Sequence, residues 1–151
     1  MKKHNFKYLL ELGRPYNFDD LLVIAKGQLR AEDEITKQAK ESFLFIDTDM
    51  YVMKVWCEFV FGKCHSFILD QIVEREYDLY LLCNTDLPWV KDELREYPDL
   101  ENRNKLFHIY KDLMINQHKP WAEISGHDGE RLKQGISAVK TLMGNDPFRR
   151  R

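Results

Sequence analysis

The apolar residues of this chain change rhythm several times, and each change marks an expected element. In "NFDDLLVIAKGQLRAEDEITKQAKE", Leu21, Ile24, Ala25 and Leu29 recur at helical spacing. This stripe predicts a long amphipathic helix with Asn17 as its N-cap and acids in its first turn, weakened by Gly27 inside it. The rhythm then stops. "SFLFID" is apolar without alternation, the pattern of a strand buried on both faces. "TDMYVMKVWCEFVFG" returns to helical spacing and closes at Gly62, and "SFILDQIVEREY" predicts another helix. "YDLYLLCNT" reads as a second buried strand. "DLPWVKDELREYPDL" is polar and interrupted by Pro88 and Pro98, as a surface excursion would be. "LENRNKLFHIYKDLMINQHK" carries Leu106, Ile109, Leu113 and Met114 on one helical stripe. "PWAEIS" predicts a third, short strand, "GHDG" a loop, and "ERLKQGISAVKTLMG" the last helix. Before all of these, "HNFKYLLELGRP" reads as the end of a helix stopped by Gly13 and Pro15.

Strands that alternate with helices predict an α/β fold around a parallel sheet. No repeat, low-complexity tract or linker divides the 151 residues, so a single domain over 1–151 is expected. A hydrophobic share of 44% is ample for a core. The net charge of −2 lacks the basic excess that a general nucleic-acid or membrane-surface binder needs. The cysteines Cys57, Cys64 and Cys83 form no C-x-x-C spacing, which leaves neither a zinc knuckle nor a redox motif. With no apolar leader and no run long enough to span a bilayer, they fit reduced thiols, and a cytoplasmic location is expected.

The first strand comes to a point at Asp47-Thr48-Asp49. In open α/β sheets ligands bind beyond the carboxyl ends of the strands, so two carboxylates there would face a cleft. One could order a magnesium ion through water while the other accepts a proton or holds a sugar hydroxyl. An Asp after a strand is also a common cap for the next helix, and Thr48 or Asp49 could cap "MYVMKVW". Spacing alone leaves both roles open. The histidines show no metal-ligand spacing, and no G-x-S-x-G elbow occurs. Tyr51, Trp56 and Phe59 follow at helical spacing, as core aromatics do. Trp89 stands in a polar loop, where it either packs the base of a lid or contacts a ligand.

Taken in order, "FLFIDTDMYVMKVWCEFVFGKCH", "YDLYLLCNTDLPWVKDELRE" and "ISGHDGERL" resemble the ribosylnicotinamide kinase domain of NadR-type proteins, a P-loop kinase module of the AAA_28 group. The likeness runs from about Phe6 to Met143. It implies a three-layer P-loop kinase-like parallel sheet. It also implies an ATP-dependent nucleoside kinase of NAD salvage, with ATP and Mg2+ as cofactors. By resemblance, Asp47 and Asp49 would face the nucleoside hydroxyl and the magnesium, and Gln28 would line the acceptor pocket. Trp89, Asp92 and Arg95 would open a lid, with Arg103 as a second lid arginine. Gly126 and Arg131 would hold the adenine. Many relatives read D-G-L-R in the lid where this chain has "DELR", so Glu93 makes that turn stiffer and more acidic.

A P-loop kinase needs G-x-x-x-x-G-K-[ST], whose amides cradle the phosphates and whose Lys neutralises them. None of the seven glycines starts or ends such a loop; Gly62-Lys63 is followed by Cys64. The expectation is therefore a domain of this family that lacks its N-terminal portion, with the first strand and phosphate loop absent, and is inactive alone. The alternative is a catalytically dead nucleotide- or partner-binding module of the same fold. A sheet without its central strand would leave Phe43–Ile46 and Leu79–Leu82 without their shared neighbour and with unpaired backbone groups, a place for a gap or for self-association.

Overall fold

The computed structural model describes residues 8–9, 11–88 and 99–145. They form two compact units, Met1–Arg75 and Glu76–Arg151. In the first unit, helix α1 spans Phe18–Gln38, α2 spans Met50–Phe61 and α3 spans Ser66–Glu74. In the second, strand β1 spans Tyr80–Cys83, α4 spans Leu100–Asn116, β2 spans Trp121–Ile124 and α5 spans Asp128–Asn145.

Helix α1 begins where the sequence marks it. The Asn17 side chain accepts from the Asp20 amide at 3.1 Å, and Asp20 accepts from the Asn17 amide at 2.8 Å, a reciprocal capping box. Asp20 also takes both guanidinium nitrogens of Arg14, at 2.7 and 2.9 Å, and the Tyr8 hydroxyl at 2.8 Å. These donors, Arg14 first, hold its carboxyl well below the usual range. The expected stripe is the buried one: Leu21, Ile24, Ala25 and Leu29 pack with Met50, Met53 and Cys57 of α2 and Ile68 of α3. Trp56 packs at the edge of this core. Its indole donates to the Tyr16 hydroxyl at 3.1 Å and the two rings meet edge to face. Helix α2 stops at Gly62, whose φ of +67° is the left-handed turn that glycine reaches without strain.

In the second unit two of the expected strands form a parallel pair. Tyr80–Cys83 runs beside Trp121–Ile124 in register, with Tyr80 opposite Trp121 and Cys83 opposite Ile124. Helix α4 packs on β1 and α5 on β2. Both strands are short and mostly half-buried, and Tyr80–Cys83 is not fully buried as its composition suggests.

The first expected strand is not formed. Residues 39–49 are irregular, and Phe43, Leu44 and Phe45 are 40%, 38% and 68% exposed. A strand needs a neighbour for its alternate N–H and C=O groups, and among the described residues Phe43–Ile46 joins no ladder. Apolar composition does not supply that neighbour. The expected sheet therefore reduces here to one parallel pair.

Candidate functional site

In the first unit the two aspartates stand at the head of α2, not at a strand tip. Asp49 is the N-cap of that helix: its Oδ1 accepts from the Val52 amide at 3.0 Å. Of the two roles left open for Asp49, the capping role is the one its contacts show. Burial pushes the Asp49 carboxyl up to about 6 against the pull of the capping amides, and the negative charge of Glu32 adds to the rise. Asp47, two residues earlier, is exposed.

Gln28 of α1 reaches this loop. It is 1% exposed, and its Nε2 donates to the Thr48 carbonyl at 2.9 Å, between the two aspartates. One turn further along the same helix face lies Glu32, 6% exposed. Arg75, at the end of α3, donates to Glu32 at 3.0 Å and to Asp33 at 2.8 Å. The pairing offsets the burial of a carboxylate that would be costly alone. The structure thus ties Gln28 to the backbone of the segment that carries Asp47 and Asp49. It adds Glu32 and Arg75, which the sequence analysis passed over. A spacing of four from Gln28 was the available signal for Glu32. Arg75 had none, because the residues it meets on α1 lie 42 and 43 positions away in the chain.

In the second unit the polar groups gather beyond the carboxyl ends of β1 and β2. Arg131 of α5 donates to the carbonyls of Asn84 and Gly126, the latter at 2.8 Å, and pairs with Asp86. Asp86 also accepts from the Gly126 amide, and this bond, followed by the Arg131 pairing, lowers its carboxyl below the ordinary value. Gly126 has a φ of +87°, and an added Cβ would collide with the Glu130 carboxylate, which accepts from the His127 amide at 2.9 Å. Arg103 of α4 donates to the carbonyls of Thr85 and Leu87 at 2.8 and 2.9 Å. Arg103 and Arg131 therefore each clasp backbone at this edge. Trp89, Asp92 and Arg95 lie outside the described residues.

The family model of the AAA domain group AAA_28 matches residues 8–131. The chain belongs to the AAA_28 family. Its curated relatives include the trifunctional NAD biosynthesis/regulator protein NadR of Escherichia coli, 26% identical over 128 residues, and that of Salmonella typhimurium, 27% identical over 129. Each alignment covers 84% of this chain and 31% of the relative, so the chain spans about a third of the length of the proteins it matches. The resemblance drawn from D-T-D, P-W-V-x-D-x-L-R and S-G-x-x-x-E-R is thereby established as a NadR-like one. Membership in AAA_28 also fits the parallel β1–β2 pair flanked by helices. No helix among the described residues is long and apolar enough to cross a membrane.

Proposed function

We propose that this AAA_28 chain is part of an ATP-dependent nucleoside kinase domain, with ribosylnicotinamide as acceptor and NAD salvage as its setting. One observation carries the reading: in a NadR-like chain, the buried Gln28 amide holds the loop that bears both Asp47 and Asp49. Asp47 and Asp49 orient the acceptor hydroxyl, and Asp49, with its carboxyl near 6, is suited to take the proton that leaves it. The pair also fits Mg2+, which binds through one or two carboxylates together with substrate phosphates and water. Among the described residues no group of three or more His, Cys, Asp or Glu could hold a metal, in keeping with an ion that arrives with the nucleotide. Bound there, magnesium would supply charge neutralisation of the phosphates.

The Gly126 loop, tied down by Arg131, would face the adenine. Arg103 would anchor the segment entering the lid, with Trp89, Asp92 and Arg95 acting from the lid itself. The 151 residues contain no G-x-x-x-x-G-K-[ST], and phosphoryl transfer depends on that amide cradle more than on any one arginine. The chain by itself is therefore expected to bind nucleoside without phosphorylating it. The test is ATP turnover on a nucleoside panel, by the chain alone and by the chain fused behind the phosphate-loop segment of NadR. Activity only in the fusion, abolished by Asp49→Asn, is the expected result. Turnover by the chain alone would overturn the claim of inactivity. Failure of both proteins on every nucleoside would favour the second reading, a nucleotide- or partner-binding module without catalysis, which the missing loop motif supports.

A further inference from the structure

We infer that Gln28 is a positioning residue: from α1 it fixes the backbone between Asp47 and Asp49 and so sets where the two carboxylates stand. The inference rests on the reading that these carboxylates do the work of the site, but its geometry is independent of the acceptor. The resemblance alone would make Gln28 a substrate contact. The packing points elsewhere. At 1% exposure the residue is closed to solvent, and its Nε2 proton is directed to the Thr48 carbonyl at 2.9 Å. A carbonyl in an irregular segment has no helix or ladder partner of its own, so this donor is what orients the peptide that joins Thr48 to Asp49. That peptide leads straight into the Asp49 cap, whose Oδ1 takes the Val52 amide at 3.0 Å. Turning it would move the cap and, on its other side, Asp47.

The supports of Gln28 are equally fixed. It lies on the α1 face that carries Leu21, Ala25 and Leu29 into the core, and Glu32 follows one turn later. Arg75 bridges Glu32 and Asp33 and thereby ties α1 to the end of α3. A displaced loop would carry the Asp49 cap off the Val52 amide, which it holds at 3.0 Å.

The experiment is nuclear magnetic resonance on the full chain and its Gln28→Met variant, which keeps the side-chain length and removes the donor. Two signals are followed: exchange of the Val52 amide and the resonance of the Thr48 carbonyl carbon. The expected result is a rise in Val52 exchange of about fivefold, the scale of one neutral hydrogen bond, and a Thr48 carbonyl resonance displaced by the loss of its donor. A variant that is merely less stable would speed exchange throughout the unit and leave the Thr48 carbonyl resonance in place. A folded variant with both signals unchanged overturns the inference. Should Gln28→Met fail to fold, the wild-type chain decides. Side-chain amide protons of Gln28 that exchange at least tenfold slower than a free amide support the role, and free-amide exchange overturns it. Ribosylnicotinamide at millimolar concentration separates the two readings: a shift of the Gln28 amide without one at Thr48 or Asp49 would mark direct contact and also overturn it. No binding of that nucleoside would count against the kinase reading and leave the Gln28 measurements standing.

Discussion

At the scale of single residues, the chain concentrates its cost in one carboxyl. Asp49 is raised to about 6 by burial, so the folded state prefers it protonated while the unfolded state ionises it near its ordinary value. Its contribution to stability is thus fully present below about pH 4 and is lost as the pH rises through about 6. Asparagine caps a helix as well as aspartate does and never ionises. Asp49→Asn is therefore expected to be more stable than wild type at pH 7.5, by on the order of 1 to 3 kcal/mol, and to show no advantage at pH 4. Urea melts at the two pH values check this, and an equal difference at both would show that the carboxylate is not desolvated. Asp20 runs the opposite way. Its carboxyl is held low by Arg14 and the Asn17 amide, so its contribution is present above the ordinary carboxylate range and is lost as the pH falls toward its folded value. An Asp20→Asn chain should accordingly show a shallower loss of stability on acidification, read by thermal melts between pH 5 and about pH 2.

At the scale of elements, caps and turns were legible because their chemistry is local. Asn17, the stripe on α1 and the stop at Gly62 each depend on residues within a turn or two of chain. Removal of the cap by Asn17→Ala should cost about 1 kcal/mol, measured by urea denaturation. Gly126 is a second such position. Its φ of +87° strains any residue with a Cβ, the Glu130 carboxylate beside it would have to swing aside for a methyl group, and Gly126→Ala should cost ~1 to 3 kcal/mol. The segment Phe43–Ile46 shows where local pattern misleads. Four apolar residues in a row predict a buried strand, yet Phe45 is 68% exposed and the backbone joins no ladder among the described residues. Phe45→Ser should then change stability by less than about 0.5 kcal/mol. A loss of about 3 kcal/mol or more, as for a buried phenylalanine, would show that this segment is covered in solution.

At the scale of the whole molecule, each compact unit has its own buried residues. The first is centred on Leu21, Met53 and Ile68, all 0% exposed; the second buries Phe107, Met114 and Ile124. Leu21→Ala should cost ~3 to 5 kcal/mol, and hydrogen exchange should report the loss in the amides of α1, α2 and α3. The carboxyl edge of the β1–β2 pair is held by Arg103 and Arg131, which bond backbone carbonyls at 2.8 to 2.9 Å. Sequence reading assigned these arginines to a lid and an adenine site. Their contacts to Asn84, Thr85 and Leu87 could not be read from the chain, since the arginines lie 16 to 47 residues away from the segment after β1 that they grip.

By itself the sequence determined the helices, the existence of strands about Tyr80–Cys83 and Trp121–Ile124, the glycine stops and the NadR-like character of the chain. These follow from side-chain periodicity, from steric limits on φ and from an ordered set of motifs. Tertiary structure alone decided which carboxylate is desolvated, which amide holds the loop between Asp47 and Asp49, and that Phe43–Ile46 is not a strand. The physical reason is common to all three. Burial, long-range hydrogen bonds and ladder pairing depend on what lies across space from a residue, and a chain pattern records only what lies along it.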